Sequence, residues 1–198
     1  NFAYDARRSV AADSKVLIGL AAARLIPDNS SVILNIGTTT EQVATALRRH
    51  QGLMVITNNI NVANILRDAP SAEVVIAGGL VRHSDGGIMG EATVDFIRQF
   101  KVDFAVIGAS AIDRDGSILD YDFRAVKVSQ AIIGQARKTI LVSDSLKFER
   151  TAPVRIADLS MIDVFVTEIE PPREIVEYCR AHDVELVIAA PMAAERAA

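Results

Sequence analysis

Apolar residues recur along this chain with helical spacing in some stretches and as short unbroken runs in others. The first helical pattern covers residues 14–25 and ends at Pro27. A short apolar run over residues 31–36 then predicts a strand that Gly37 terminates, and helical spacing returns over residues 41–49. The pattern therefore predicts a helix, a strand, a tight loop and a second helix, in that order.

The same alternation continues to residue 188. Further strands are predicted over residues 53–56, 73–77, 104–107, 139–142, 164–166 and 185–188. The helices between them are predicted over residues 61–67, 93–100, 125–136 and 173–181. Continuous Val and Ile runs that are separated by helices are typical of parallel strands covered on both faces. The sequence therefore predicts an α/β fold, with a mainly parallel sheet and helices on both faces.

The two ends of the chain depart from this pattern. The first dozen residues are rich in charge and alanine, and we interpret them, together with residues 191–198, as frayed ends or pieces of a linker. With 198 residues, 50% of them hydrophobic, the chain is long enough to bury one substantial core. We predict a single domain over residues 1–198, with its core between about residues 14 and 188.

Charge and cysteine content exclude several classes of protein. The chain has 21 Lys and Arg residues against 25 Asp and Glu residues, so its net charge of −4 offers no basic field for DNA or an anionic membrane. No apolar run reaches the roughly 18 residues of a membrane span, and no signal peptide is evident. The single cysteine, Cys179, excludes an internal disulfide and is interpreted as a buried thiol. We expect a cytoplasmic protein without a membrane partner.

The clearest candidate for ligand binding follows the first predicted strand, where Gly37 precedes Thr38, Thr39 and Thr40. Ligands of parallel sheets bind at the carboxyl ends of strands. The free amides and the dipole of a helix N-terminus favour an anion, and each hydroxyl can donate a hydrogen bond. A threonine that merely caps the helix is the simpler explanation, but a cap needs one hydroxyl. The segment therefore predicts a phosphate or carboxylate site, although it lacks the Gly-Lys-Ser/Thr element of a P-loop.

Polar residues and glycines follow the next two predicted strands as well. Asn58 and Asn59 carry amides that can bind sugar hydroxyls, or that can simply cap a helix and form a turn. Gly78 and Gly79 permit a close approach of the backbone to a ligand, but paired glycines also occur in ordinary hairpins.

Lys147 follows the strand predicted over residues 139–142, where its charge can reach an anionic ligand, although exposed lysines are common. Asp113 and Asp115 belong to a polar segment that is more typical of a plain turn than of a catalytic pair. Arg82 is either a ligand contact or a solvated loop residue. The three histidines are scattered and no Cys, His and carboxylate cluster is evident, so we predict neither a metal nor a cofactor.

Five short segments of the chain, taken together in their order and spacing, resemble the C-terminal effector domain of the DeoR family of bacterial regulators. The segments are residues 36–40, 57–59, 77–79, 85–92 and 144–148. The resemblance covers roughly residues 14–188, and residues 86–123 are most similar to the glycerol-3-phosphate regulon repressor branch of the family. It implies the fold of ribose-5-phosphate isomerase and the CoA-transferases, in which a Gly-Thr-rich loop binds a substrate phosphate near a lysine.

The resemblance also implies which residues bind the effector. The residues implied for its phosphate are Gly37, Thr38, Thr39, Thr40 and Lys147. The candidates for the rest of the effector are Asn58, Asn59, Gly78, Gly79, Arg82 and Asp113. One segment departs from the family pattern, because residues 125–130 carry Ala125 and Ser129 where many members carry a glutamate and a lysine.

The leading hypothesis is the effector-sensing domain of a transcription repressor, without enzymatic activity, that binds a phosphorylated sugar or polyol, with glycerol-3-phosphate the first candidate. The resemblance implies a homo-oligomer that binds DNA through an N-terminal winged helix-turn-helix, which we expect this chain to lack. A sugar-phosphate isomerase on the same fold is the alternative, and it requires a general base for which Asp113 and Asp115 are the available carboxylates. A pure assembly domain would leave the threonines without a role.

Overall fold

The apolar runs form the strands that the sequence predicts, and all seven of them lie in a single sheet. The structure is a computed structural model that describes residues 4–189. Its strands are β1 (Ser31–Leu34), β2 (Leu53–Thr57), β3 (Ala72–Ile76), β4 (Leu80–Val81), β5 (Ile88–Met89), β6 (Val102–Ile107), β7 (Ala111–Ile112), β8 (Ser117–Asp120), β9 (Ala136–Val142), β10 (Val154–Asp158), β11 (Val164–Thr167) and β12 (Glu185–Ile188). Its α-helices are α1 (Tyr4–Ser9), α2 (Ala12–Arg24), α3 (Thr38–Leu47), α4 (Ile60–Leu66), α5 (Glu91–Ile97), α6 (Phe123–Gly134) and α7 (Arg173–Ala181). Two short 3-10 helices cover Ser145–Glu149 and Leu159–Met161.

The main sheet has seven parallel strands in the order β12-β11-β9-β6-β1-β2-β3. From β1, the chain adds β2 and β3 on one side and then returns to add β6, β9, β11 and β12 on the other. Val32 of β1 accordingly pairs with Val55 of β2 and with Phe104 of β6. The order of the strands reverses between β1 and β6, and such a reversal opens a crevice at their carboxyl ends.

Alternate side chains of the strands enter two cores, one on each face of the sheet. On one face, Ile33 and Phe165 pack with residues of α5, α6 and α7. On the other face, Leu34 and Val166 pack with residues of α2, α3 and α4. Both faces are therefore covered, which confirms the predicted α/β architecture. Cys179 is 2% exposed in the first of these cores, as predicted for a buried thiol.

Two features of the chain differ from the sequence prediction. Helix α3 begins at Thr38, so the three threonines form its first turn instead of a loop that precedes it. The pattern placed this start later because the apolar positions of the helix begin only at Val43. The prediction that the first dozen residues are frayed was wrong for residues 4–9, which form α1. The predicted frayed end over residues 191–198 lies outside the described part of the chain.

The smaller antiparallel elements were not predicted. Strands β7, β8 and β10 form a three-stranded sheet, and β4 pairs with β5. Several of these strands contain only two residues, which is too short for a period of two to be recognised. The turn between β7 and β8 is the predicted polar turn, in which Gly116 N donates to Asp113 O at 3.0 Å. Within residues 4–189, no helix combines the length and the apolar character that crossing a bilayer requires.

Close packing of α2 against α3 generates a prediction for Gly19. A Cβ atom at this position would lie 2.7 Å from the backbone carbonyl carbon of Gln42 in α3, closer than real Cβ contacts occur. We expect Gly19→Ala to push the helices apart and to lower the free energy of unfolding by about 1–3 kcal/mol, measured by urea denaturation.

Gly134→Ala is the matched control, because a Cβ at the last position of α6 meets no atom within 4 Å. This control should leave the free energy of unfolding unchanged or raise it by up to about 1 kcal/mol. Equal stabilities of the two variants would contradict the close approach of α2 and α3.

Candidate functional site

A cavity of about 660 Å³ lies at the carboxyl ends of β1, β6 and β9, where the strand order reverses. Its lining comes from the segments that follow these strands, from the start of α6, from α1 and from the segment between β4 and β5. A cavity of this size fits a small metabolite. The polar and small residues of the lining include Arg7, Asn35, Gly37, Thr38, Thr39, Thr40, Arg82, Asp85, Asp120, Asp122, Ala125, Ser129 and Lys147.

The first turn of α3, residues 38–40, is here called the threonine turn. Gly37 is the N-cap residue, with a φ of 147° that glycine adopts far more readily than other residues, and it gives α3 no side-chain cap. The first helical amide to find an acceptor is that of Glu41, which donates to Gly37 O at 3.0 Å. The three amides of the threonine turn precede it and therefore have no acceptor within the helix. They are available to an anion, and no threonine serves as the cap.

The hydroxyl of Thr40 adds a further donor beside these amides. Thr40 is fully buried, and its Oγ1 has no hydrogen-bond partner anywhere in residues 4–189. A Cβ atom at Gly37 would lie 3.4 Å from this oxygen, so a side chain there would crowd it. Buried hydroxyls in proteins are almost always hydrogen-bonded, and an exception calls for an explanation. A ligand oxygen in the cavity would supply the partner.

Lys147 reaches the same cavity from the 3-10 helix that follows β9. Its Nζ lies 4.0 Å from Oδ2 of Asp144, and the two side chains are 12% and 2% exposed. Burial lowers the pKa of Lys147 to about 8, although the negative charge of Asp144 opposes this shift. Oδ1 of Asp144 is buried and has no hydrogen-bond partner within the described residues. An anion in the cavity would favour the charged form of this lysine.

An ion-pair network borders the cavity around Asp85. Arg82 donates two hydrogen bonds to this buried carboxylate, at 2.8 Å from Nε and 2.6 Å from Nη2, and Arg7 donates a third at 3.0 Å. Burial by itself raises the pKa of Asp85, but the bonds and charges of Arg82 and the bond from Arg7 outweigh it, so the pKa is lowered. Arg82 also lies 3.3 Å from Asp122. It is therefore a fixed member of the cavity lining and not a solvated loop residue.

The other predicted contacts are placed elsewhere. Asn58 is fully buried and donates to Ile88 O at 3.1 Å, outside the cavity lining. Asn59 caps α4, accepting a bond of 2.9 Å from Asn61 N, and it also donates to Glu41 at 3.3 Å. Both asparagines therefore have structural roles beside the site, and their contact with an effector stays a prediction.

Gly78 and Gly79 lie next to α5 and also outside the cavity lining. Thr93 of α5 donates to Gly78 O at 2.9 Å, and a Cβ at Gly79 would collide with the Thr93 hydroxyl at 2.1 Å. Gly79 therefore allows a close approach of the chain to a helix, which is a structural use of glycine, whereas a Cβ at Gly78 would meet no atom within 4 Å. Asp113 lies in the turn between β7 and β8. The structure does not bring these three residues to the cavity, and their predicted roles are untested.

Sequence reasoning missed a polar pair inside the cavity. Asn35 follows β1 directly, and its Nδ2 donates to Ser129 Oγ at 2.8 Å. Oδ1 of Asn35 is buried and has no partner among the described residues. Ser129 and Ala125, the positions that depart from the family pattern, both line the cavity. A polar residue at the end of an apolar strand is the signal that could have identified Asn35, whereas no local signal indicates its partner, which lies 94 positions away.

Comparison with known proteins identifies the family. The family model of the DeoR C terminal sensor domain matches residues 10–169. The glycerol-3-phosphate regulon repressor of Haemophilus influenzae is 46% identical over 188 residues, which cover 95% of this chain and 73% of that protein. The repressor of the same name from Escherichia coli is 41% identical over 186 residues, covering 94% of this chain and 74% of its own length. This chain belongs to the DeoR family.

The DeoR-family domain also has relatives among solved structures. Ribose 5-phosphate isomerase A from Methanocaldococcus jannaschii matches with a TM-score of 0.52 at 13% identity, over 70% of this chain and 55% of that chain. The delta subunit of eIF2B from Chaetomium thermophilum matches with a TM-score of 0.60 at 18% identity, over 80% of this chain and 57% of that chain. Identities this low show the fold alone. They confirm that the DeoR-family domain has the fold of ribose-5-phosphate isomerase.

Proposed function

We propose that the cavity of this DeoR-family sensor domain binds the phosphate of a phosphorylated sugar or polyol, and that glycerol-3-phosphate is the preferred effector. The observation that carries the proposal is the buried hydroxyl of Thr40, which has no partner within residues 4–189, beside three helix amides that have no acceptor within α3. Buried donors that converge on one cavity require an acceptor, and a phosphate offers several oxygens to a helix N-terminus.

The charge of the lining supports an anionic ligand. Lys147 lines the same cavity as the threonine turn, and its ammonium can pair with a phosphate there. Burial lowers the pKa of Arg82, but its hydrogen bonds to Asp85 and the charges of Asp85 and Asp122 outweigh this effect, so the pKa is raised. Arg82 therefore stays positively charged at the rim of the cavity. In this half-buried setting a phosphate gains more from fixed charges than it would in water. Gly37, the threonine turn and Lys147 therefore form the proposed phosphate seat.

The remainder of the lining suits a short polyol. Oδ1 of Asn35, which has no partner in the described chain, can accept a hydrogen bond from a ligand hydroxyl. Asp120 and Asp122 add carboxylates at the start of α6. Among such ligands we propose glycerol-3-phosphate, because two similar proteins are named glycerol-3-phosphate regulon repressors. Residues 86–123 also resemble the glycerol-3-phosphate regulon repressor branch of the family.

We also propose that the domain is not an enzyme. An aldose-ketose isomerase on this fold requires a base that is free to move a proton beside a carbonyl. Asp85 and Asp122 at the cavity are engaged by Arg82, and Asp113 lies outside the lining. Asp120, the remaining carboxylate of the lining, accepts a hydrogen bond from the amide of Tyr121. Incubating the chain with ribose-5-phosphate and measuring the ketose product tests this directly, since any enzyme-dependent turnover would contradict it.

The remaining features of the proposal follow from the family. We propose that residues 1–198 act as one effector-binding domain in the cytoplasm, with a core between about residues 14 and 188. The net charge of −4 gives this domain no overall attraction for DNA, and we propose that contact with an operator falls to the helix-turn-helix that the resemblance implies. The small metabolite and a second copy of the chain are the proposed partners of the domain itself.

Thr40→Val tests the phosphate seat. Because Oγ1 of Thr40 has no protein partner within residues 4–189, the isosteric substitution should leave the stability of the fold unchanged or raise it. The loss of one hydrogen bond to a charged group should weaken glycerol-3-phosphate binding by about tenfold or more, measured by calorimetry. Thr45→Val, in an exposed position of the same helix, is the matched control and should bind normally. Equal affinities of both variants would argue against the site.

The affinity for glycerol-3-phosphate should depend on pH through Lys147. The pKa of this lysine is about 8 in the free domain, and a bound phosphate raises it. The affinity is therefore highest at pH values below 8 at which the phosphate is still a dianion. It falls as the pH rises through 8, because the lysine then loses its charge. We expect a fall of about tenfold between pH 7 and pH 9 in calorimetric titrations.

Lys147→Arg provides the control for this pH dependence, since a guanidinium keeps its charge over the whole range. Its affinity, even if lower than that of the wild type, should be flat between pH 7 and pH 9. A flat profile for the wild-type domain would show that Lys147 does not pair with the phosphate.

Self-association is proposed through the edge of the main sheet. Strand β3 lies at this edge, and Ile76, Leu80 and Val81 beside it are 45%, 60% and 40% exposed. A repressor that binds paired half-sites requires two-fold symmetry, and an apolar edge strand is a ready contact between copies.

Sedimentation equilibrium should therefore show a dimer or larger species at micromolar concentration. Leu80→Lys should shift it toward the monomer, whereas Met161→Lys, which also charges an exposed apolar position but lies away from this edge, should not. A wild-type monomer would refute the proposed association.

A further inference from the structure

We infer that helix α1 forms one wall of the effector site and that the guanidinium of Arg7 binds the effector phosphate directly; the inference rests on the proposed function. Arg7 lies on α1 and lines the same cavity as Thr38 and Lys147. No strand end and no family motif points to this residue. The packing of α1 across the first turn of α3 places it at the site.

Polar contacts, and not apolar packing, hold α1 in place. None of its 6 residues is buried, and a helix of this length is unstable by itself in water. Near its start, Tyr4 donates a hydrogen bond of 2.8 Å to Glu41 in the first turn of α3. Beyond its end, the ammonium of Lys15 donates to the carbonyl oxygens of Arg7 and Val10. The position of α1 therefore depends on groups that surround the effector site.

Arg7 has hydrogen-bonding capacity that the protein does not use. Its Nη2 donates to Asp85 at 3.0 Å, whereas its Nε is buried without a partner in the described residues. A guanidinium has five N–H donors in a planar fork that matches two phosphate oxygens. Asp85 also accepts two shorter bonds from Arg82, so this carboxylate keeps a partner when Arg7 turns toward a phosphate.

The charges around Lys147 connect α1 to the phosphate seat. Burial is the main cause that lowers the pKa of Lys147, and the positive charges of Arg150, Lys15 and Arg7 lower it further. These cations therefore repel one another around the cavity, and a phosphate dianion among them removes that repulsion. Lys15 is 3% exposed, and a nearby anion favours the charged form that holds the end of α1.

Effector binding and the docking of α1 are therefore linked. If Arg7 binds the phosphate, the effector stabilises the docked position of α1, and any arrangement that detaches α1 weakens effector binding by the same factor. Helix α1 directly precedes residues 10–169, the part of the chain that the DeoR C terminal sensor domain model matches. The helix is thus a physical route by which an occupied site alters the rest of the repressor.

Calorimetry with glycerol-3-phosphate on four forms of this chain tests the inference. Arg7→Gln should bind about tenfold more weakly than the wild type, or worse. Arg24→Gln, which removes the same charge from an exposed position at the end of α2, should bind as the wild type does. Arg7→Lys, which keeps the positive charge but lacks the planar fork of donors, should recover only part of the affinity lost in Arg7→Gln.

A purely structural role of the Arg7 and Asp85 pair predicts a different pattern, in which Arg7→Gln lowers the free energy of unfolding of the ligand-free chain by as much as it lowers the free energy of binding. That result, or wild-type affinity in Arg7→Gln, overturns the inference and leaves the proposed function intact. Equal weakening by Arg7→Gln and Arg24→Gln also overturns it, as an effect of net charge. If the wild-type chain does not bind glycerol-3-phosphate or any sugar phosphate, the proposed function and the inference both fail.

Hydrogen exchange of the wild-type chain gives an independent readout. We expect glycerol-3-phosphate to slow the exchange of amides in residues 4–15, because the ligand holds α1 against the site. Unchanged exchange in this segment, in a sample whose threonine turn is protected by the ligand, would show that α1 does not respond to the effector and would overturn the inference.

Discussion

The structure depends on one constraint, which is that a helix begins inside the protein with its first amides unsatisfied. Helix α3 starts at the carboxyl end of β1 with Gly37 as its cap residue, and glycine has no side chain that can accept the bonds of the first turn. In an ordinary surface helix, water would satisfy these donors. Here the first three residues of the helix are buried, with exposures from 9% for Thr38 to 0% for Thr40. The surrounding chain is organised around a position that favours an anion.

The rest of the site balances charge around that position. Lys147 is held near a buried aspartate, and Arg82 is held by Asp85, so each cation is oriented by a carboxylate that weakens its field without removing it. Such pairs add little to stability, because desolvation offsets most of their attraction. Their effect is geometric, since they fix the directions of donors before a ligand arrives and reduce the entropy lost on binding.

The strands, most helices and the meeting of Gly37, the threonine turn and Lys147 at one cavity were predictable because each leaves a local signal. An unbroken apolar run followed by Gly37 and three hydroxyls can be recognised within ten residues of sequence, and Lys147 was found by the same rule at the end of β9. The position of Arg7 at the cavity was not predictable, because its partner Asp85 is 78 positions away and α1 buries no residue that would produce an apolar period. The start of α3 was placed too late for a related reason, since threonine contributes little to helical patterns.

The topology has a consequence for how the domain persists in a cell. The threonine turn follows β1, the first strand of the chain, whereas Lys147 follows β9, which joins the sheet only after the chain has returned from β3. A partly folded chain therefore has no complete site, and a metabolite that requires both halves binds only the finished fold. If the proposed effector binds there, it would shift the folding equilibrium by mass action, and its concentration would then also set how long the domain resists proteolysis.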